Sequence, residues 1–308
     1  MEARPMTEMF RLGGSPRIGA SIEATPTQVL DKVDLAGLFP VNTRVYLTDL
    51  GTDDSARLIR AARLLQDYGY VAVPHLAARR FPSWAAFEAR VRALAGEAGV
   101  TEALAVAGSP ERQAGPIAAS IELLRSGWFD RLGFTRIGVA GHPEGSPDIA
   151  PEALDAALRE KNAFAAETDA ELYLVTQFGF DARRFIAWAE RVSAAGNRLP
   201  IHIGVSGPAK IATLLKYAAA CGVGESLGFL KKRAGAVTAL ATGHSPESVV
   251  QPLENYWAAD PAGPIRQMHV FPFGGLKKSS QWLFERGSWV NGIEAFADTQ
   301  PIQLEARK

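Results

Sequence analysis

Short runs of aliphatic and β-branched residues alternate with amphipathic helical patterns along the whole chain. The apolar runs lie near Arg17–Glu23, Thr43–Thr48, Tyr70–His75, Ala103–Ala107, Arg136–Ala140, Leu172–Gln177, Pro200–Val205 and Met268–Phe271. Strands that are separated by helices indicate β/α crossovers and a parallel sheet.

The segments between these runs place apolar residues on one face at helical spacing. Three such faces are Leu58, Ala62 and Leu65; Phe185, Trp188, Ala189 and Val192; and Ile211, Leu214, Leu215 and Ala218. Gly69 ends the first helix, and the third is expected to open at Ser206-Gly207-Pro208, because proline favours the first helical position. Two extra helices, Leu227–Ala234 and Pro246–Ala258, are expected before the last strand.

Eight such units in 308 residues predict a single (β/α)8 TIM-barrel domain. Residues 1–16 are then an N-terminal extension and residues 290–308 a C-terminal tail. An open doubly wound sheet is the alternative. Its dinucleotide fingerprint, G-x-G-x-x-G, does not follow the first strand, which ends in Ser21-Ile22-Glu23-Ala24.

Charge and cysteine content exclude several classes of protein. Lys and Arg together number 33 and Asp and Glu 33, so the chain lacks the basic surplus of a nucleic-acid-binding protein. A lone cysteine, Cys221, cannot form an internal disulfide, which favours a reducing cytoplasm. The sequence shows neither a secretion signal nor an apolar run of about 18 residues that would span a membrane. The sequence leaves assembly into a homo-oligomer open, because apolar barrel helices can face either the barrel or a neighbouring subunit.

Polar residues follow the predicted strands, where a TIM barrel builds its active site. They are Glu23, Thr48, His75, Ser109, His142, Glu144, Gln177, Ser206 and the Phe271–Gly275 turn. Structural roles are open for each: Glu23 as the partner of an arginine, His75 as a packing histidine, Gln177 as a loop anchor. Burial favours the protonated form of a carboxyl group, so Glu23 suits general-acid catalysis.

The sequence lacks the residues that a metal site or a serine nucleophile would need. No His-x-His or His/Asp set has metal-ligand spacing, so no metal is expected, and a G-x-S-x-G nucleophile elbow is missing. Glu, Thr, His and Gln side chains without a nucleophile favour proton transfer and positioning around a cofactor.

Several motifs resemble one family in order and spacing. They are Ser21-Ile22-Glu23, Val45-Tyr46-Leu47-Thr48, Pro74-His75-Leu76, Ala140-Gly141-His142-Pro143-Glu144, Lys161, Thr176-Gln177-Phe178 and His269-Val270-Phe271. From Gly19 to Phe273 the chain resembles the methylenetetrahydrofolate reductase family. The members of that family are flavin-containing β8α8 barrels, which reduce methylenetetrahydrofolate to methyltetrahydrofolate, usually with NADH or NADPH.

The resemblance implies roles for individual residues. Glu23 would be the general acid that assists opening of the five-membered folate ring. Gln177 would bind the pterin, and Ser109 and Phe271 match positions on the substrate side. The positions that match the FAD side are Thr48, His75, Gly108, His142 and Lys161, the last at the flavin phosphates.

The chain also departs from the family. Ala107-Gly108-Ser109 replaces an Arg-Gly-Asp after the fourth strand, which leaves retention of FAD open. Without flavin, hydride would pass directly from NAD(P)H, and the reaction could also run in the direction of oxidation. A pterin-binding methyltransferase barrel and a non-catalytic folate-binding partner of a methyltransferase are the alternatives.

Two segments are expected to hold anions such as a folate tail or a pyrophosphate. One is Ser206–Lys210 at a helix start, and the other is Gly274-Gly275 with Lys277 and Lys278, which also suits an FMN-type barrel. Arg79-Arg80 follows His75 closely enough to reach the mouth of the barrel.

Overall fold

Eight parallel strands close into a barrel. This computed structural model describes residues 17–51, 54–108, 112–146, 149–223, 228 and 243–289. The expected extension 1–16, the expected tail 290–308, Ser109 and, except for Gly228, the expected helix Leu227–Ala234 lie outside the described residues. The predicted TIM barrel is confirmed, and the open sheet is wrong because the first strand of the barrel pairs with the last.

The strands and helices alternate as the hydrophobic pattern predicts. The strands are β1 Ala20–Ala24, β2 Arg44–Leu47, β3 Val71–Ala77, β4 Glu102–Val106, β5 Arg136–Gly141, β6 Glu171–Thr176, β7 Ile201–Ser206, β8 Ala209–Lys210, β9 Gly243–His244 and β10 Ile265–Phe271. The closed barrel has the order β1-β10-β7-β6-β5-β4-β3-β2, and β8 and β9 form a separate pair. The helices are α1 Ser55–Asp67, α2 Trp84–Ala98, α3 Ser120–Arg125, α4 Trp128–Arg131, α5 Pro151–Phe164, α6 Ala182–Ala194, α7 Ile211–Ala220, α8 Glu247–Ala259 and α9 Leu276–Arg286. In the described ranges, no helix is both long and apolar enough to cross a membrane.

Helices α1 and α6 bury the faces that their spacing predicts. Leu58, Ala62 and Leu65 of α1 are buried, and so are the four predicted residues of α6. The Asp54 side chain caps α1 by accepting a hydrogen bond from the Arg57 backbone N–H. Gly69 follows α1 with a φ of 78°, which a residue with a side chain rarely adopts. Together these faces form the layer between the barrel and its helices.

Helix α7 begins later than the sequence predicts. It starts at Ile211, not beside Pro208, because Ala209 and Lys210 form a two-residue strand that pairs antiparallel with β9. Of its predicted inward residues, Ile211, Leu214 and Ala218 are nevertheless buried, and Leu215 is half-buried. The expected helix Pro246–Ala258 is present as α8, shifted by one residue.

The barrel interior is polar at the N-terminal ends of its strands. Arg44, the first residue of β2, donates two hydrogen bonds of 2.6 and 2.7 Å to Glu102, the first residue of β4. Farther along, the hydroxyl groups of Tyr46 and Tyr173 lie 2.7 Å apart across the barrel. Side chains alternate between the two faces of a strand, so Arg44 and Tyr46 point the same way. These groups fill the lower barrel.

Removing one member of the buried ion pair should strongly destabilise the fold. We expect Glu102→Gln to lower the free energy of unfolding by about 3–5 kcal/mol, because the Arg44 guanidinium stays buried without a counter-charge. The Arg63–Asp67 pair, whose side chains are 61% and 54% exposed, provides the control. Asp67→Asn should cost no more than about 0.5 kcal/mol. Urea unfolding measures both, and equal losses for the two variants would contradict this account.

Candidate active site

The carboxyl group of Glu23 lies between two imidazole rings inside the barrel. Its Oε1 is 3.4 Å from Nε2 of His269 and 3.6 Å from Nε2 of His75. The three residues come from β1, β10 and β3, and the closure of the barrel brings them together. The side chain of His269 is fully buried, and those of Glu23 and His75 are 14% and 15% exposed. This trio is the candidate active site.

His269 is anchored by Ser21 on the neighbouring strand. Ser21 pairs with His269 in the register of β1 and β10, and its Oγ lies 3.0 Å from Nδ1 of His269. Ser21 and Glu23 are two residues apart and therefore face the same side of β1. Strand β1 thus carries two residues of the site. Glu23 supplies the carboxyl group, and the Ser21 hydroxyl group contacts the histidine beside it.

Tyr46 packs beneath the trio. Its ring centroid lies 4.4 Å from that of His269 and 6.2 Å from that of His75. Burial raises the pKa of Tyr46 well above its usual value, and the neighbouring Tyr173 adds to the effect. Burial also lowers the pKa of His75, although the Glu23 carboxyl opposes the shift. At neutral pH the carboxyl group therefore has a neutral phenol below it and a neutral His75 imidazole beside it.

The expected cofactor residues lie on the consecutive strands β2 to β5 and on α5. Thr48 directly follows β2, and its buried Oγ1 has no hydrogen-bond partner among the described residues. Gly108 follows β4 with a φ of 77°. β3 continues to Ala77, so His75 lies within the strand and faces Glu23 rather than ending the strand as expected.

Lys161 and His142 lie near each other at β5. The Lys161 ammonium group donates a 3.2 Å hydrogen bond to the carbonyl of Ala140, and burial lowers its pKa to about 8. Burial also lowers the pKa of His142 to about 4, and the Lys161 charge adds to this shift. His142 is therefore neutral at physiological pH, and Lys161 carries the positive charge of the neighbourhood.

The expected substrate residues lie on the other side of the mouth. Gln177 is exposed after β6, and its Oε1 accepts a 3.1 Å hydrogen bond from the backbone N–H of Phe178. Phe271 ends β10 and packs 5.0 Å from His269, ring centroid to centroid. It belongs to an aromatic cluster with Phe178, Phe273 and Tyr217. Flat apolar faces therefore adjoin the trio.

The lysines of the two expected anion sites lie at the surface. Lys210, Lys277 and Lys278 are exposed. Gly274 lies so close to the Pro208 carbonyl oxygen that a β-carbon there would clash with it. Arg79 donates a 2.9 Å hydrogen bond to the backbone carbonyl of Ala118. Among the described residues, no group of three or more His, Cys, Asp or Glu side chains can hold a metal ion.

Cys221, the chain's one cysteine, lies at the C-terminal end of α7. The residue is exposed and forms the C-cap of α7, with its thiol free. Partial burial of the thiol raises its pKa, and the Glu23 carboxyl adds to the shift.

The comparisons with known proteins agree with the barrel and give a partial sequence similarity. The chain is 40% identical over 70 residues to methylenetetrahydrofolate reductase 1 of Schizosaccharomyces pombe. The matched part is 22% of this chain and 11% of that protein, so the chain corresponds to a small part of it. No protein-family profile matches the chain.

A solved structure of similar fold covers most of the chain. It is an uncharacterized protein from Clostridium thermocellum that binds two copies of 5-methyl-5,6,7,8-tetrahydrofolic acid. The TM-score is 0.50 at 11% identity, and the alignment covers 87% of this chain and 97% of that one. At this identity the similarity supports the fold.

The sequence places His269 in one of the family-like motifs but predicts no role for it. Ser21 is likewise not predicted as a site residue. The signal that could have found them is the two-residue alternation of strands. Ser21 shares a face with Glu23, and His269 shares one with Phe271. Their contact depends on pairing between the first and last strands of the barrel, which no local pattern shows.

Proposed function

We propose that this chain is a folate-dependent oxidoreductase that interconverts 5,10-methylenetetrahydrofolate and 5-methyltetrahydrofolate by hydride transfer. The observation that supports this most is the single carboxyl group of Glu23, held between two imidazoles inside a TIM barrel. The partial similarity to a methylenetetrahydrofolate reductase supports the same reaction.

Glu23 acts as the general acid in this proposal. The product keeps its methyl group at N5, so the bond that breaks is the one between the methylene carbon and N10. The electron pair of that bond stays on N10, which takes the proton of Glu23. The carbon is left as an iminium group on N5 and accepts the hydride. In the opposite direction Glu23 takes the proton back, so the same residue serves both directions.

The substrate lies against the Gln177 and Phe271 side of the mouth in this proposal. The exposed Gln177 amide offers both donors and an acceptor to the edge of a pterin. The aromatic cluster around Phe271 offers flat faces to its rings. Ser109 is proposed on the same side, although it lies outside the described residues.

FAD lies on the opposite side of the mouth in this proposal. Thr48 has an unused buried hydroxyl group, and Lys161 has a buried ammonium group, which together suit a polar anionic cofactor. Gly108, His142 and His75 complete the proposed contacts. A bound flavin would supply the hydride, which it would receive from NADH or NADPH.

Substitution of Glu23 tests the role of the carboxyl group. Glu23→Gln keeps the size of the side chain but cannot give up a proton, so kcat for folate reduction should fall about 10²- to 10⁴-fold. Binding of methyltetrahydrofolate, measured by calorimetry, should be close to that of the wild type. Glu88→Gln, at a surface carboxyl group of α2 that is paired with Arg92, is the matched control and should keep both properties. Wild-type turnover by Glu23→Gln would refute the general-acid role, and binding without turnover by the wild type would favour a non-catalytic folate-binding protein.

The absorption spectrum of the freshly purified protein tests the cofactor. Visible bands typical of flavins are expected, and Lys161→Met should weaken them relative to the wild type. A colourless wild-type protein that still reduces the folate with NAD(P)H would replace the flavin by direct hydride transfer.

A further inference from the structure

Two consecutive arginines follow strand β3, and their guanidinium groups have different surroundings. Arg79 and Arg80 end the single turn of 3₁₀ helix that comes after β3, and both are half-buried. Arg79 donates hydrogen bonds to the backbone carbonyls of Ala118 and Gly108, at 2.9 and 3.5 Å. Arg80 forms no hydrogen bond or ion pair with any residue that the structure describes. Arg79 therefore joins neighbouring loops, whereas the guanidinium donors of Arg80 are available to a ligand.

The Arg80 side chain lies across the turn that connects β2 to α1. A β-carbon at Gly51 would collide with Nη1 of Arg80, so the guanidinium group lies directly on the backbone of this turn. Gly51 has a φ of 74°, which favours glycine, and its lack of a side chain leaves room for the arginine. Both segments follow the C-terminal ends of strands. The guanidinium group is therefore on the face where a TIM barrel binds its ligands.

The nearby carboxylate of the turn is already used by other groups. Asp49 accepts a 2.9 Å hydrogen bond from Arg90 and a 3.1 Å hydrogen bond from the backbone N–H of Gly51. Arg79 donates to backbone carbonyls, which carry no net charge. Neither Arg79 nor Arg80 forms an ion pair with a carboxylate in the described ranges. An anion at this side of the mouth would therefore meet two positive charges that have no counter-charge there.

The residues beside Arg80 suit a ligand that is partly anionic and partly apolar. Thr48 has a buried Oγ1 without a hydrogen-bond partner among the described residues, and Leu50 of the turn is 57% exposed. The planar guanidinium group can bind a phosphate group through two parallel N–H donors. A nucleotide combines such phosphate groups with a flat base that an exposed aliphatic side chain can contact.

We propose that Arg80 binds a phosphate group of a dinucleotide at the mouth of the barrel. This inference rests on the proposed function, which places the dinucleotide cofactor on the side of Thr48 and the folate on the side of Gln177 and Phe271. Arg79 is a positioning residue in this arrangement, because its hydrogen bonds hold the segment that carries Arg80.

Binding of dinucleotides and of their phosphate-free counterparts tests the proposal. Arg80→Met keeps a long side chain but removes the guanidinium group. It should weaken binding of the dinucleotide that the wild type binds, NADH, NADPH or FAD, about tenfold. The affinity for reduced nicotinamide riboside or riboflavin, which lack the phosphate groups, should not change. Arg63→Met removes an exposed arginine of α1 that pairs with Asp67, and as the matched control it should bind like the wild type in calorimetry.

A conservative variant and added salt test whether charge and geometry both matter. Arg80→Lys keeps the positive charge but loses the two parallel donors, so it should recover only part of the lost affinity. Because Arg80 is half-buried, salt should screen its attraction for a phosphate group. The Kd of the wild type should therefore rise more steeply with sodium chloride than the Kd of Arg80→Met.

Three results would overturn the proposal. The first is equal dinucleotide affinity in the wild type and Arg80→Met, or no dinucleotide binding by the wild type. The second is a loss confined to methyltetrahydrofolate, because Arg80 would then bind the carboxylates of the glutamate tail. The third is an equal loss for the phosphate-free compounds, which would indicate a changed shape of the mouth. Thermal unfolding checks that each variant is folded.

The same titrations separate this inference from the proposed function. Folate turnover by the wild type, together with unchanged dinucleotide affinity in Arg80→Met, would uphold the function and overturn the inference. Dinucleotide binding that Arg80→Met weakens as expected, in a wild type that turns over no folate, would refute the function and leave the role of Arg80 standing.

Discussion

The site depends on the pairing of the first and last strands of the barrel. Ser21 and His269 are 248 residues apart in sequence, yet they are direct partners in the register of β1 and β10. This pairing places the His269 ring beside Glu23 and seals the side of the barrel where the carboxyl group lies. A slip of one residue would turn Ser21 and Glu23 outward, because successive side chains of a strand face opposite sides. The register that closes the barrel therefore also determines which side chains form the site.

The polar interior has two parts with different roles. At the N-terminal ends of the strands, Arg44 and Glu102 satisfy each other in a buried ion pair. The Tyr46–Tyr173 hydrogen bond lies above them. At the level of Glu23, by contrast, buried nitrogens lack hydrogen-bond partners among the described residues. Groups that are fully paired stabilise a structure, and groups left unpaired are available to a ligand or a proton.

Sequence reasoning could predict the barrel, the apolar faces of α1 and α6, and the strand-end position of Glu23, because each follows from local periodicity. It could not predict that α7 starts at Ile211, since that start depends on pairing between Lys210 and the distant Gly243. The orientation of His75 toward Glu23 also needed the structure, because the strand continues two residues farther than its pattern indicates. Burial against β5 lowers the pKa of Lys161, and the sequence of a helix does not show that one of its lysines is buried.

A crystal structure of the protein with 5-methyltetrahydrofolate tests the central claim most directly. The account predicts that the ligand lies at the mouth of the barrel with its N10 within hydrogen-bond distance of the Glu23 carboxyl group, or one water molecule away. His269 should still be in contact with Ser21 in that complex. A folate bound elsewhere, or one whose N10 points away from Glu23, would contradict the account.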